Sequence, residues 1–195
     1  MRKIIVSEFL TLDGVYQGPG SAEEDPSGGF EHGGWQMPFF DEDGGDYVGK
    51  GIEAAGAFLL GRVTYDIFAG YWPNQPADDP FARTMNEKPT YVVSTTLTGP
   101  LSWQNSTLIR DDVAGTIRRL KAEDGGDIMV IGSGELVQTL IGENLVDVYQ
   151  LMIHPIVLGT GKKLFRDGAD AGNLELIESK TTTTGVLLLR YRPAA

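Results

Sequence analysis

Short β-branched runs alternate with helix-forming segments for about the first 140 residues, and strands alone finish the chain; this order constrains the fold more than any other feature. Lys3 to Leu10, Ala57 to Leu60, Thr90 to Ser94 and Asp127 to Ile131 are short, mostly apolar stretches without strict alternation, a pattern that suits strands covered on both faces. Between them, helices are predicted over Asp41 to Ala55, from Gly61-Arg62-Val63-Thr64-Tyr65 onward, near Phe81 to Asn86, and after an N-cap at Asp111, where Val113, Ile117 and Leu120 form one apolar face. Gly132-Ser133-Gly134 turns a strand into a further helix, Glu135 to Ile141. Val146 to Pro155, Leu174 to Lys180 and Val186 to Arg192 read as strands, the last two as an antiparallel hairpin. The expected architecture is α/β: one domain over residues 1–195, with a mostly parallel central sheet flanked by helices and closed by antiparallel C-terminal strands.

Charge and composition narrow the function. Sixteen basic against 27 acidic side chains leave a net charge of −11, which repels a phosphate backbone and argues against nucleic acid as a partner. With no cysteine there is no disulfide, thiolate nucleophile or zinc-thiolate site, and the cytoplasm is the expected compartment. The apolar run after Met1-Arg2-Lys3 breaks at Ser7-Glu8, too soon for a signal peptide or a membrane span. His32 and His154 stand alone, so no metal site is expected.

Glycine, at 26 of 195 residues, is about twice its usual share of about 7%, and it concentrates where the chemistry is expected. Gly132-Ser133-Gly134-Glu135-Leu136 opens a helix whose amides and dipole favour an anion such as a pyrophosphate. Val137 stands where a dinucleotide fingerprint has its third glycine, so taken alone the turn is equally well a purely structural one. Gly61-Arg62-Val63-Thr64 places a guanidinium and a hydroxyl at another helix start, and Ser94-Thr95-Thr96 gathers hydroxyls at a strand end. Ligands of open α/β sheets bind beyond the carboxyl ends of the strands, so the three turns together suit one extended, phosphorylated ligand. Gly132-Ser133-Gly134 is not a nucleophile elbow, which needs glycines two positions either side of the serine.

These segments, together with Leu12-Asp13-Gly14, Leu59-Leu60, Val92-Val93, Val130-Ile131 and Pro155-Ile156-Val157-Leu158-Gly159-Thr160-Gly161, resemble in order and spacing the dihydrofolate reductase superfamily. The branch is that of the C-terminal reductase domain of the bacterial bifunctional riboflavin-biosynthesis protein. The resemblance covers nearly the whole chain and implies a dihydrofolate-reductase-like fold, NADPH as cofactor, a small heterocyclic or ribosylamino-pyrimidine-type acceptor, and a homodimer. It places Arg62 at the 2′-phosphate and Thr64 at the pyrophosphate, with Val63 between them also cofactor-binding, and Ser94 and Thr95 by the adenosine. The amides of Gly132, Ser133, Gly134, Glu135 and Leu136 would hold the pyrophosphate and nicotinamide half. Glu8, Phe9 and Tyr16 would flank the nicotinamide and so stand, with Trp35, as the substrate residues, and the glycine-rich loop after Asp13 would act as a closing lid.

Hydride transfer asks side chains mainly for alignment and exclusion of water. Folate reductases carry an acid just after a Trp-x-x-Pro-like segment. Here Trp35-Gln36-Met37-Pro38 is followed by Phe39-Phe40-Asp41, so the acid is displaced and Asp41, Asp43 and Asp46 compete, with Asp41 and Asp46 the catalytic candidates. Acids at a helix start are equally expected for the helix dipole alone. Trp35, Trp72 and Trp103 suit a substrate wall or ordinary burial. A non-catalytic nucleotide-binding protein on the same fold is the alternative reading.

Overall fold

A computed structural model describes residues 1–168 and 171–194. The strands are β1 (Ile4–Thr11), β2 (Ala57–Gly61), β3 (Thr90–Val93), β4 (Ser106–Ile109), β5 (Ile128–Ile131), β6 (Val148–His154), β7 (Leu174–Thr181) and β8 (Leu187–Pro193). The helices are α1 (Glu42–Ala54), α2 (Arg62–Tyr71), α3 (Pro80–Glu87), α4 (Val113–Ala122) and α5 (Gly134–Gly142). The strands hydrogen-bond in the order β4-β3-β2-β5-β1-β6-β8-β7, which is the expected α/β sheet. The chain divides into two compact units, residues 1–5 with 49–147 and residues 6–48 with 148–195, so that β1 begins in one and ends in the other.

In the first unit β2 pairs in parallel with β3 and with β5, and β3 with β4. Ala57, Phe58, Leu59 and Leu60 are wholly buried because this strand has a neighbour on each side and helices connect it to the next strands. Strand β4 escapes the apolar pattern: Ser106-Thr107-Leu108-Ile109 lies at the sheet edge, where only Ile109 is buried and polar residues cost little. Helix α4 is capped by Asp112, whose carboxylate accepts from the Gly115 amide at 3.2 Å, and not by Asp111. One residue separates the two aspartates, and Asp112 takes the left-handed conformation that turns the chain into the helix.

Four glycines inside α1 lower its intrinsic helicity. Two of them are sites of close ring approach, since an added Cβ would lie 3.1 Å from the Phe40 ring at Gly45 and 3.1 Å from the Phe81 ring at Gly49. Aromatic packing on bare backbone offsets the propensity loss.

In the second unit β8 lies between β6 and β7 and pairs antiparallel with both. The segment Val186 to Tyr191 is therefore not an open edge; β7 is, and all eight of its residues are exposed. The glycine-rich stretch after β1 is tied down. Val15 and Phe30 are buried with Trp35 in one apolar cluster, the Gln17 amide donates to the Asp25 and Ser27 carbonyls, and Lys162 pairs with Asp25 at 2.7 Å. A lid motion of this segment has to break those contacts.

Candidate functional site

The two phosphate-compatible helix starts differ from the other helices in how their amides are satisfied. The first turn of a helix leaves its N–H groups without intrahelical partners. An aspartate fills that need in α1, where Asp41 accepts from the Gly44 amide at 2.9 Å, and likewise in α3 through Asp79 and in α4 through Asp112. Helices α2 and α5 have no side-chain cap. Ser133, at the cap position of α5, spends its hydroxyl elsewhere, accepting from the Gly61 amide at 2.9 Å and donating to the Ile131 carbonyl at 3.0 Å.

The same bonds draw the three turns together within the first unit. The Ser133 amide donates to Thr64 Oγ1 at 3.1 Å, which joins the start of α5 to the start of α2. Arg62 Nη1 donates to Thr96 Oγ1 at 2.8 Å and its Nε meets Asp66 at 3.3 Å, which joins α2 to the turn after β3. In that turn Ser94 Oγ accepts from the Thr96 and Leu97 amides, and Arg110 donates to the carbonyls of Thr95 and Leu97. Gly132 has φ +55 and Ser133 φ +63, successive left-handed residues that aim amides outward from a concave turn. Arg62, Val63 and Glu135 are exposed, and Gly134 and Leu136 are buried. A dinucleotide phosphate would supply the cap that α2 and α5 lack, so the residues present fit the cofactor that the resemblance implies.

The second unit holds an apolar cleft. It is lined by Phe9, Met152, His154 and Leu188 on the strands, by Val186 just before β8, and by Gln36, Phe39, Phe40, Asp41, Gly44, Val48 and Thr182. Of the expected substrate residues, Phe9 lines the cleft directly and Trp35 packs its ring on His154 at 5.1 Å while its Nε1 donates to the Gln17 carbonyl. Glu8 is buried but does not line the cleft, because adjacent strand residues point to opposite faces. Tyr16 does not line it either; its amide is spent on the Lys162 carbonyl.

Asp41 lines the cleft in a form that cannot donate a proton. Its Oδ2 accepts from the Thr183 hydroxyl at 2.6 Å and the Thr184 amide at 3.3 Å, and its Oδ1 from Gly44. These bonds, the Thr183 hydroxyl foremost, hold its carboxyl far below the usual carboxylate range against a smaller opposing effect of burial. Asp43 is paired with Lys180 and Asp46 is exposed. Two of the three aspartates that compete in the sequence are thus committed, Asp41 to a helix cap and Asp43 to an ion pair.

The family model for the RibD C-terminal domain matches residues 2–188. The chain belongs to the RibD C-terminal domain family. Among its relatives is the uncharacterized protein YyaP of Bacillus subtilis, 29% identical over 97% of this chain and 94% of that one. A pyrimidine reductase-like protein from Corynebacterium diphtheriae has the same fold, with a TM-score of 0.66 at 14% identity, covering 100% of this chain and 92% of that one. So does the diaminohydroxyphosphoribosylaminopyrimidine deaminase/5-amino-6-(5-phosphoribosylamino)uracil reductase of Thermotoga maritima, at TM-score 0.64 and 13% identity, where the match covers 99% of this chain and 57% of the longer one. The dihydrofolate-reductase-like fold expected from the sequence is thus the fold of this RibD C-terminal domain.

Two motifs that carried the resemblance are bonded to each other and not to a site. The Asp13 carboxylate accepts from the Thr11 hydroxyl at 2.6 Å and from the Leu158 and Gly159 amides at 3.2 and 2.8 Å. Burial pushes its pKa up, but those three bonds outweigh it and hold the group below its ordinary value. Leu12-Asp13-Gly14 and Pro155 to Gly161 are in this way one structural lock. His154, solitary in the sequence, gains its place in the cleft only through folding. Trp103 is core, its Nε1 donating to Asn86, so the tryptophan wall has no part for it.

Proposed function

We propose that the whole chain works as one NADPH-dependent reductase domain that passes a hydride to a small heterocyclic or ribosylamino-pyrimidine-type acceptor. The observation that carries this reading is the pair of uncapped helix starts, α2 and α5, bonded to each other through Thr64 and Ser133 and to the Ser94-Thr95-Thr96 turn through Arg62. The amides of Gly132, Gly134, Glu135 and Leu136 and of Val63 and Thr64 hold the pyrophosphate and nicotinamide half, Ser133 fixes the turn through the hydrogen bond from its amide to Thr64, Arg62 holds the 2′-phosphate, and Ser94 and Thr95 the adenosine side. The nicotinamide, when bound, supplies the hydride. The protein aligns the acceptor, with Phe9 in the apolar wall and Trp35 packed behind His154, and excludes water. Asp41, its carboxylate occupied by Thr183, Thr184 and Gly44, is not the donor of the proton that balances the hydride. A cysteine-free chain working with a reduced dinucleotide fits the cytoplasm.

Titrating the protein with NADPH while following nicotinamide fluorescence tests this reading. Saturable binding well below about 1 mM, the concentration that corresponds to roughly −4 kcal/mol, is expected. A flat titration at that limit rejects it. The committed Asp41 also suits a nucleotide-binding protein without turnover; NADPH binding with no oxidation against pterin, pyrimidine and flavin-precursor panels selects that alternative.

The acceptor-side unit also supports a homodimer. Edge strand β7 exposes Leu174, Leu176 and Ile177 at 41, 49 and 50%, an open apolar edge that invites pairing with a second copy. Light scattering is expected to give a dimer, and Leu176→Lys with Ile177→Lys to give a monomer. A monomeric wild type rejects the pairing.

A further inference from the structure

The cleft of the second unit selects among the acceptors that the proposed reaction allows. Its walls are Phe9, Phe39, Phe40, Val48, Met152 and Leu188, and neither a lysine nor an arginine is among the described residues lining it. The charged group in it is the Asp41 carboxylate, which is held ionised. Neither Lys180, paired with Asp43 at 2.7 Å, nor Arg190, 3.9 Å from Glu178, is among the described residues lining it. A phosphate dianion brought into this lining meets a carboxylate, apolar rings and the neutral side chains of Gln36 and Thr182, with no cation among the described lining residues.

One polar group in the cleft is held ready. His154 is 3% exposed and sits among the rings of Phe9, Trp35 and Phe39, at centroid distances of 5.8, 5.1 and 5.9 Å. Its Nδ1 lies 3.2 Å from the Leu10 carbonyl and 3.0 Å from the Met152 carbonyl. Carbonyl oxygens only accept, so the proton is on Nδ1. Burial holds the imidazole below its ordinary pKa, with the two carbonyl contacts opposing, and the ring is neutral near pH 7. Its Nε2 therefore keeps a lone pair, and no hydrogen bond from another described residue satisfies it.

We propose that the acceptor of this reductase is an unphosphorylated, planar heterocycle, seated between the aromatic walls of this cleft and oriented by a ring N–H or exocyclic amine donating to Nε2 of His154. The inference rests on the reductase reading and narrows it: of the two acceptor types allowed above, the free heterocycle is selected over the phosphoribosylamino form. His154 fixes the edge of the ring, and the flat side chains around it stack on or against its faces.

Neopterin and neopterin 3′-phosphate are a suitable probe pair, alike in the fluorescent ring and different in the phosphate. Titrated against the wild-type protein, neopterin is expected to bind at least tenfold more tightly than its phosphate. Equal or tighter binding of the phosphate overturns the proposal, as does the absence of any fluorescence change with neopterin up to about 1 mM. His154→Phe keeps an aromatic ring without an acceptor and is expected to weaken neopterin about tenfold, the worth of one hydrogen bond of about 1.4 kcal/mol. His154→Gln returns an amide oxygen near the Nε2 position and should restore affinity to within about threefold of wild type. Neopterin binding unchanged in the Phe variant, or not restored in the Gln variant, removes the assigned role. NADPH titration of the same samples reads the other unit, so a protein that binds NADPH but fails these tests loses only the acceptor assignment. One that binds neopterin but not NADPH loses the reductase reading instead.

Discussion

Replacing Arg62 with alanine is expected to raise the dissociation constant for NADPH about 10- to 100-fold and to change that for NADH less than about twofold. The guanidinium is exposed at the start of α2 and is held in place by Thr96 Oγ1 at 2.8 Å and by Asp66 at 3.3 Å. A side chain already anchored loses less rotamer entropy when a phosphate arrives. A charge-assisted contact to the 2′-phosphate is worth about 1.5–3 kcal/mol, which sets the fold-change. NADH lacks that phosphate, so its affinity is left to the uncapped amides of α2 and α5. The NADPH preference should shrink as salt is raised from about 0.05 to 0.5 M, because the exposed guanidinium is screened. Parallel fluorescence titrations with both cofactors read the result, and an equal loss for the two removes the 2′-phosphate role from Arg62.

The largest stability effect is expected at Gly161. Its φ is +115, where L side chains are strained, and an added Cβ would lie 2.7 Å from Val15 Cγ1 and 2.9 Å from the Phe30 ring. Val15 is fully buried and cannot swing away. Strain and overpacking together cost about 3 kcal/mol, so Gly161→Ala should lower the melting temperature by roughly 6–12 °C. Gly159→Ala is the comparison. Its φ is +72 but open space surrounds the new Cβ, and only the backbone penalty of about 1 kcal/mol applies. Melting curves that coincide for the two variants would show that steric contact with Val15 and Phe30 carries no weight.

The contrast between these two glycines illustrates what a sequence pattern conveys. Both stand in the stretch from Pro155 to Gly161 that marks the family, and nothing in their spacing separates a crowded position from an open one. The same holds for Asp13, which the motif singles out and which acts as a hydrogen-bonded lock on Leu158 and Gly159. Local signals were stronger for the phosphate-compatible turns. A glycine-rich strand-to-helix turn advertises exposed amides, and Arg62 and Thr64 follow Gly61 directly, so the candidates for the anion site could be named from neighbours in the chain.

Element type and order were determined by the sequence alone, because hydrophobic period, glycine placement and β-branching act over a few residues. The run from Ala57 to Leu60 is a fully buried strand for that reason, and β4 was missed for the converse one, its edge position making no demand for apolar residues. Tertiary structure decided what depends on contacts between distant segments. It gave the Asp41 carboxylate to Thr183 and Thr184, 142 and 143 positions away, which converts a candidate acid into an ionised cap. It also turned a solitary His154 toward the carbonyl of Leu10, 144 positions away, and put it among three aromatic rings. Protonation state is set by such surroundings, by desolvation and by hydrogen bonds from remote residues, and these exist only once the chain has folded.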